Sequence, residues 1–231
     1  MIAILVLTYN NLEATKKCIE KIYSNTKSEF NLFILDNNST DGTIDYLDSL
    51  FYENLNVFLN VKNEGIINGR NKLWDISHND GDYDYFCFLD NDQFVKDGWD
   101  DAYLELMKDY DVVGTEAWQM KSNFQPTRRI KNKSEHFSYV GCGGMMIRRE
   151  VIENIGLFDV QFNPFYFEDP DFCFRAIQNG YKMGWCSNDV IRHQKHDLTL
   201  HGDRRKFFIR NLKIIQNKWR NFPLPKLKMD K

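Results

Sequence analysis

The sequence predicts an α/β fold in which a mixed, mostly parallel sheet is flanked by helices. In the first half of the chain, short continuous aliphatic runs alternate with longer segments whose apolar residues recur at helical spacing. Strands without polar alternation are buried on both faces, as parallel strands are. With 42% hydrophobic residues and only 13 Gly and 5 Pro in 231 residues, collagen-like and disordered classes are excluded. We expect a single domain.

Strands and helices alternate regularly up to the fourth strand. The predicted strands comprise residues 2–7, 31–35, 55–59 and 85–89, and the helices between them comprise residues 12–23, 43–51 and 66–76. Strand, helix and parallel strand form βαβ units with right-handed crossovers. In such sheets ligands bind beyond the carboxyl ends of the strands, so the residues that follow each strand are the first candidates for a ligand site.

The pattern changes after about residue 110. A strand is predicted at residues 111–114, residues 117–136 are polar and irregular, and residues 139–147 form a strand-like run interrupted by three glycines. A helix then runs to Ile177 and stops at Asn179-Gly180, with Asp169 as a good N-cap and Pro170 at the first helical position. A short strand at residues 183–186 and an amphipathic helix at residues 203–219 complete the prediction.

The chain shows no sign of a membrane span or of a disulfide framework. Its longest strongly apolar run, residues 2–7, is far below the roughly 18 residues that a span needs, and it lacks the features of a signal peptide. The five cysteines are odd in number and none are spaced as CxxC. We therefore expect a cytoplasmic protein. Peripheral binding to the inner face of the membrane is compatible with that expectation.

Polar residues follow all four strands of the first half. These ends read Thr8-Tyr9-Asn10, Asp36-Asn37-Asn38-Ser39, Asn63-Glu64-Gly65 and Asp90-Asn91-Asp92. Each has an ordinary explanation as a helix cap or a turn, but parallel strands bring all four to one rim. Two carboxylates one residue apart repel each other unless a divalent cation lies beside them, and their hard oxygen ligands favour Mg²⁺ or Mn²⁺.

Taken in order, these motifs identify a family resemblance. The segments VLTYN (6–10), DNNSTDG (36–42), NEGIINGRN (63–71), DND (90–92) and RRE (148–150) through GLFD (156–159) to FEDPDF (167–172) resemble those of family 2 glycosyltransferases of the GT-A fold. The match extends to about residue 196 and is specific only as a set. It implies an inverting transferase that depends on a divalent metal and uses a nucleotide-diphosphate sugar. It also implies that residues 1–200 form the GT-A domain, with a nucleotide-sugar lobe at 1–110 and an acceptor lobe at 111–200.

The resemblance assigns the donor site residue by residue. The donor candidates are Thr8, Tyr9, Asn10, Asp36, Asn38, Asn63, Arg70, Asn71, Asp90, Asn91 and Asp92. A carboxylate at Asp36 suits the N3–H group of uracil, which favours UDP and leaves thymidine diphosphate open. Asp92 and Asp90 are the candidate metal ligands, and His193 completes the metal shell, with His196 and His201 as alternatives.

The resemblance also assigns the acceptor side. Asp169 is the expected general base, and Glu168 binds the acceptor hydroxyl or exchanges roles with Asp169. Gly143 and Gly144 are expected to meet the acceptor or the donor sugar. Family precedent favours a cell-envelope glycan or glycolipid as acceptor, and modified nucleic acid and protein remain alternatives.

Charge is distributed unevenly along the chain. Residues 201–231 hold ten Lys or Arg and two Asp, so this basic C-terminal helix and tail has a net charge of +8. Residues 1–200 have a net charge of −11, and the two together give the net charge of −3. Such a tail predicts contact with an anionic membrane or nucleic acid, or else a solvated last helix.

Two other classes of protein compete with the transferase. Sugar-1-phosphate nucleotidyltransferases have a similar nucleotide lobe, but they need a Gly-rich loop that the residues after Thr8 lack. A non-catalytic nucleotide-sugar binding protein would keep the fold without turnover, and the presence of Asp92, Asp169 and His193 argues against it.

Overall fold

A computed structural model describes residues 1–186, 189–194 and 204–229. The strands are β1 (Ile2–Thr8), β2 (Phe30–Asp36), β3 (Leu55–Leu59), β4 (Tyr85–Asp90), β5 (Gln93–Val95), β6 (Val112–Gly114), β7 (Ala117–Met120), β8 (Pro126–Arg129), β9 (Tyr139–Val140), β10 (Met145–Arg148), β11 (Met183–Trp185) and β12 (Ile191–His193). The helices are α1 (Leu12–Asn25), α2 (Thr43–Asp48), α3 (Gly65–Asp80), α4 (Trp99–Leu106), α5 (Arg149–Ile155), α6 (Glu168–Gln178) and α7 (Arg204–Trp219).

The central sheet has seven strands in the order β11-β6-β10-β4-β1-β2-β3. β1 lies parallel between β2 and β4, and β10 runs antiparallel to both β4 and β6. Most residues of β1, β2 and β4 are buried without alternation, as expected for parallel strands covered on both faces. The predicted α/β class with a mixed, mostly parallel sheet is confirmed.

Gly69 allows α3 to pack closely on the Leu7 side chain of β1. A Cβ there would lie 2.6 Å from Cδ1 of Leu7, nearer than real Cβ contacts come. The absent side chain lets α3 approach the carboxyl end of β1, where the polar residues of the rim begin. The packing of α3 on β1 therefore also determines how close α3 lies to the polar residues that follow β1.

The second half contains more regular structure than its sequence pattern predicts. Residues 117–136 were expected to be irregular, but β7 pairs with both β8 and β9 in a three-stranded antiparallel sheet. The predicted strand at 139–147 is divided into β9 and β10 by the turn at 141–144. Helices α4 and α5 and the short strand β5 were not predicted. Each is eight residues long or shorter, so periodicity had little length in which to appear.

The predicted start of α6 was wrong. The helix begins at Glu168, so Asp169 is its second residue and Pro170 its third, and the N-cap is Phe167 in the left-handed region with φ 74°. Asp169 does not cap the helix, which leaves its carboxylate available for other contacts.

Helix α7 packs against the body of the protein. Asn211, Ile215 and Trp219 are buried on one side of it, while most of its charged side chains face outward. Downstream, Leu227 pairs with Phe137 through backbone hydrogen bonds of 2.9 and 3.0 Å. All five cysteines are buried and free, as expected from their spacing. Among the described residues, no helix combines the length and the apolar character needed to cross a bilayer.

Candidate active site

The carboxyl ends of β1 and β4 are tied together by the side chain of Asn91. Its amide nitrogen lies 3.0 Å from Thr8 Oγ1, 3.0 Å from the Asn10 carbonyl and 2.9 Å from Thr15 Oγ1. Thr8 is fully buried. Asn91 and Thr8 were both predicted to bind the donor. In the structure they hydrogen-bond to each other and connect the ends of β1 and β4.

The end of β2 forms a tight carboxylate loop. Ser39 donates to Asp36 through its backbone N–H (2.7 Å) and its hydroxyl (2.5 Å), and Asp36 is fully buried. Asn10 joins this loop, since its backbone N–H donates to Ser39 Oγ at 2.6 Å and its side-chain oxygen accepts from Thr40 N at 2.8 Å. Tyr9 projects from the same rim with 46% of its surface exposed. Asp36 therefore fixes the loop between the ends of β1 and β2.

Amide side chains order the turn between β3 and α3. Asn63 Oδ1 accepts from Asn37 Nδ2 at 3.0 Å and from Gly65 N at 2.9 Å. Asn38, next to Asn37, adopts a positive φ of 68° that suits an asparagine. Asn71 lies further along α3 and forms two hydrogen bonds with the backbone of Phe158, donating at 2.8 Å and accepting at 3.1 Å. Asn71 thus joins α3 to the segment that leads towards α6.

Arg70 carries a buried positive charge beneath the cleft. Its Nη2 atom donates to Asp90 Oδ1 at 2.6 Å, and its buried Nε atom has no hydrogen-bond partner among the described residues. Burial alone lowers the pKa of Arg70, but the surrounding acidic groups, Asp90 foremost, raise it overall. The guanidinium therefore remains charged and holds Asp90 in place.

Asp90, Asp92 and His193 come together at the end of β4. One ligand atom from each lies within 4.8 Å of the others. The pairing of β5 with β12 places His193 opposite Gln93, and the Gln194 N–H donates to the Asp92 carbonyl at 2.8 Å. His193 Nε2 is 3.2 Å from Asp92 Oδ1, and this hydrogen bond raises the pKa of His193. Two carboxylates and an imidazole form a donor set suited to a divalent cation.

Glu168 and Asp169 open α6 on the other side of the cleft. Asp169 Oδ1 accepts from the Cys142 N–H at 3.2 Å. Glu168 is 6% exposed, and within the part of the chain that the structure describes its buried Oε2 atom has no hydrogen-bond partner. Burial and the charge of Asp169 raise the pKa of Glu168 to about 8, and burial also raises the pKa of Asp169. Two adjacent buried carboxyls are more stable when at least one of them is protonated than when both are ionised.

A cleft of about 660 Å³ joins these groups, which is a typical volume for a small-molecule site. It brings together six of the residues predicted from sequence, namely Arg70, Asp90, Gly143, Glu168, Asp169 and His193. Gly143 touches Asp90, since a Cβ there would lie 2.7 Å from Oδ2 of that carboxylate. Gly144 is instead buried behind the cleft, where its carbonyl accepts from the Tyr103 hydroxyl at 2.7 Å. His196 and His201 lie outside the described residues.

Several residues of the cleft were missed by sequence reasoning. Gln93 is buried and its Oε1 accepts from the Asp90 N–H at 2.9 Å, and Cys142 holds Asp169. Aromatic side chains also line the cleft, namely Trp118, Tyr139, Phe165, Tyr166, Phe167 and Phe208. The run Phe165-Tyr166-Phe167 before the acidic pair was a visible signal, whereas nothing local marks Trp118 or Tyr139.

Two solved glycosyltransferase structures resemble the whole described fold. GalNAc-T7, solved with UDP, GalNAc and Mn²⁺, superposes with a TM-score of 0.75 at 15% identity over 96% of this chain and 48% of that one. TarS 1-349 of S. aureus, solved with UDP-GlcNAc, gives 0.69 at 17% identity over 97% of this chain and 68% of that one. At these identities the likeness concerns the fold, and it confirms the expected GT-A architecture.

Sequence comparison assigns the family. Glycosyltransferase AglE of Haloferax volcanii is 23% identical over 209 residues, which cover 82% of this chain and 65% of AglE. The chain thus spans just under two thirds of the length of that relative. The profile of the glycosyl transferase family 2 matches residues 3–156, which contain the β1 to β4 rim and the Asp90 and Asp92 carboxylates. The chain therefore belongs to glycosyl transferase family 2.

Proposed function

We propose that the protein transfers a sugar from a UDP-sugar to an acceptor hydroxyl with inversion at the anomeric carbon. The observation that carries this proposal is one cleft with two acidic centres. Asp90, Asp92 and His193 form the first, and the Glu168–Asp169 pair forms the second. Inversion by a single displacement needs a leaving-group site and a base on opposite sides of the sugar, and we assign the first role to the first centre and the second role to the Glu168–Asp169 pair.

Asp90, Asp92 and His193 would hold a divalent cation, Mn²⁺ or Mg²⁺, which supplies Lewis-acid neutralisation of the departing diphosphate. Arg70 fits the same centre, since it holds Asp90 and presents a buried Nε–H that no described residue accepts. Gln93 fixes the backbone of Asp90. These contacts make the first acidic centre rigid before any ligand arrives.

The β1 and β2 ends are the proposed nucleotide site. Tyr9 offers an exposed ring to a base, and the Asp36–Ser39 loop lies beside Asn10 at the same rim. Both oxygens of Asp36 already accept hydrogen bonds from Ser39, so a uracil N3–H would share one of them. The UDP and UDP-GlcNAc in the two similar structures support a uridine nucleotide.

Asp169 is the proposed general base and Glu168 the proposed ligand of the acceptor hydroxyl. The Cys142 N–H favours the charged form of Asp169, whereas no described residue gives such support to Oε2 of Glu168. Asp169 therefore ionises first, and Glu168 keeps a proton with which it can donate to an acceptor oxygen. A raised pKa also brings a carboxylate closer to the strength that a base needs near neutral pH.

The aromatic wall of the cleft supports a carbohydrate acceptor. Trp118, Tyr139 and Tyr166 combine apolar faces with polar edges, which suits the two faces of a sugar ring. We therefore favour a glycan or glycolipid of the cell envelope over nucleic acid or protein as acceptor.

A titration panel tests this function. UDP, UDP-sugars and thymidine-diphosphate sugars are titrated into the protein by calorimetry with Mn²⁺, Mg²⁺ or chelator, beside Asp92→Asn as the matched variant. We expect uridine nucleotides to bind only with metal, and Asp92→Asn to weaken that binding at least about tenfold. Equal affinity with chelator would contradict the metal role. Binding without any UDP release on long incubation would favour a non-catalytic binding protein.

A further inference from the structure

The segment that leads into the acidic pair is held by a helix from elsewhere in the chain. Residues 161–166 precede Glu168, and five of their backbone carbonyls accept hydrogen bonds from two adjacent side chains of α7. Arg210 Nη2 donates to the carbonyls of Gln161 and Asn163, and the two amide hydrogens of Asn211 are shared among the other three carbonyls. Carbonyls of an irregular segment need such partners when they are buried.

Asn211 is the centre of this arrangement. It is fully buried, and its Nδ2 atom lies 2.6 Å from the Phe162 carbonyl, 2.8 Å from that of Phe165 and 3.1 Å from that of Tyr166. The orientation of the amide is fixed from the other side, because Arg210 Nε donates to its Oδ1 atom at 2.8 Å. A guanidinium has no acceptor, so the oxygen must face Arg210 and the nitrogen must face the segment.

The backbone that Asn211 holds is strained. Tyr166 and Phe167 are consecutive residues with positive φ, 79° and 74°, directly before Glu168. This conformation is unfavourable at both positions, because neither residue is glycine. The Tyr166 carbonyl that accepts from Asn211 lies inside this strained pair. Loss of that hydrogen bond removes a restraint that keeps the turn in its unfavourable form.

A separate contact joins α7 to α6 away from the cleft. Trp219 Nε1 donates to Asp171 Oδ1 at 2.8 Å, and Lys218 Nζ lies 2.8 Å from the same oxygen. Asp171 is fully buried and does not line the cleft. This contact fastens the two helices but leaves the strained turn untouched, so it provides a matched control.

We propose that Asn211 is a positioning residue for the reaction, which sets the direction of Glu168 and Asp169 by holding the turn that precedes them. The inference rests on the proposed function of that pair. The donor rim lies on β1, β2 and β4, and Asn211 contacts none of those strands through the hydrogen bonds described above. Substitution should therefore lower kcat and leave donor affinity unchanged.

The test compares Asn211→Ala with Trp219→Phe, which removes the contact to Asp171. The assay measures UDP release from the UDP-sugar that binds best, with Mn²⁺ present and water as the acceptor. Each variant is assayed at a temperature that lies the same number of degrees below its own Tm. We expect Asn211→Ala to lower kcat at least tenfold with donor KM within twofold of wild type, and Trp219→Phe to change kcat less than twofold. An Asn211→Ala enzyme with kcat within twofold of wild type overturns the inference. So does an equal loss of kcat in both variants.

Asn211→Gln covers the case in which Asn211→Ala does not fold. Glutamine keeps the amide but displaces it by one methylene, so kcat should fall at least fivefold with donor KM unchanged. A kcat within twofold of wild type would again overturn the positioning role. Calorimetry with UDP and Mn²⁺ on wild type separates the two proposals, because absent UDP binding contradicts the proposed function, whereas intact binding with unaffected variants contradicts only the role of Asn211.

Discussion

At the scale of single residues, the two carboxyls of the acidic pair differ in what supports them. Asp169 accepts a backbone N–H from Cys142, whereas one buried oxygen of Glu168 meets no donor within residues 1–186, 189–194 and 204–229. This difference is consistent with the roles proposed above, in which Asp169 is the base and Glu168 binds the acceptor hydroxyl. The role of each carboxyl can be tested with the amide of the same shape, Asp169→Asn or Glu168→Gln, which removes the negative charge.

Asp169→Asn should abolish turnover and leave the donor site intact. The amide oxygen can still accept from Cys142, but it cannot take a proton, so we expect UDP release to fall at least about 100-fold. The affinity for UDP with Mn²⁺ should stay within about twofold of wild type. Because the base must be ionised, wild-type kcat should also rise with pH through the raised pKa of the pair. Full turnover in Asp169→Asn, with loss of turnover in Glu168→Gln, would reverse the two roles.

Glu168→Gln should make the protein more stable at high pH. The folded pKa of Glu168 is raised to about 8, above the roughly 4.3 of an unfolded glutamate, so folding takes up a proton between these values. Wild-type stability contributed by that proton is fully present below about pH 4 and is lost as pH rises towards 8. We expect the free energy of unfolding of Glu168→Gln to exceed that of wild type by about 1–3 kcal/mol at pH 8.5.

Urea unfolding at pH 5 and pH 8.5 measures that difference. The control is Glu20→Gln, because Glu20 is an exposed glutamate on α1 whose side chain is 68% accessible. The control should shift stability by the same small amount at both pH values. If the difference in the free energy of unfolding between Glu168→Gln and wild type does not increase from pH 5 to pH 8.5, the raised pKa of Glu168 is contradicted.

The identities of the site residues were predictable from sequence, but their hydrogen-bond partners were not. The DND motif and the Glu168–Asp169 pair were identified from their order in the chain, and the structure brings Asp90 of that motif and both members of the pair to one cleft. Asn71 and Asn91 were predicted to meet the donor, yet each amide is engaged with protein groups. Side-chain orientation depends on neighbours that are distant in sequence, and a linear motif does not contain them.

At the scale of elements, the turn between β9 and β10 sets the space around Asp90. A Cβ on Gly143 would meet Asp90 Oδ2 at 2.7 Å and Gln93 Nε2 at 2.9 Å. A Cβ on Gly141, two residues earlier in the same turn, would come no nearer than 3.9 Å to any described neighbour. Neither glycine has a positive φ, so alanine is compatible with the backbone at both positions.

Gly143→Ala should therefore weaken metal-dependent UDP binding, whereas Gly141→Ala should have little effect. The added methyl group should displace Asp90 from Arg70 and from the proposed metal site, and we expect the UDP affinity in Mn²⁺ to fall about tenfold or more. Calorimetry on the two variants measures this directly. Equal affinities would indicate that the β9–β10 turn relaxes without moving Asp90.

Elements with long, uniform patterns were predicted from sequence, and short or composite ones were not. Strands β1, β2 and β4 are continuous apolar runs, and α1 repeats its buried residues at helical spacing. β7 and β8 are only four residues long and lie mostly at partly exposed or exposed positions, so they are too short to show a clear alternation of buried and exposed residues. The start of α6 was misplaced because Asp-Pro is a strong capping signal, and the tertiary contacts of the preceding turn override it.

At the scale of the whole molecule, α7 is part of the body. The basic segment was predicted either to contact an anionic membrane or nucleic acid or to form a solvated last helix. In the structure Lys218 pairs with Asp159 and Asp171, and Arg210 binds backbone carbonyls. Part of its positive charge therefore offsets the acidic body internally. Exposed basic side chains without a role described above are also present on this segment, so contact with an anionic surface stays a prediction for six of the described positions, namely Arg205, Lys206, Lys213, Arg220, Lys226 and Lys228.

Trp219→Ala should destabilise the entire fold, since Trp219 is 6% exposed and packs against Phe174 and Phe222. We expect a loss of about 3–5 kcal/mol in the free energy of unfolding, with a single cooperative transition. Ile209→Ala on the same helix is the control, because Ile209 is 44% exposed and should cost less than about 1 kcal/mol. Circular dichroism during urea unfolding measures both. Equal, small losses would show that α7 contributes little to the fold.

The contact between Asn211 and the turn before Glu168 links the site to the order in which the chain is made. Domains generally begin to fold while synthesis continues from the N-terminus. A nascent chain that ends after β12 already contains the whole seven-stranded sheet, the rim of β1, β2 and β4, His193 and both carboxyls of the acidic pair. It lacks the Asn211 amide that contacts the turn before Glu168, because that amide arrives only with α7. On the roles proposed above, a ribosome-bound fragment of this length would bind nucleotide before it could catalyse transfer, and synthesis of α7 would complete the active site.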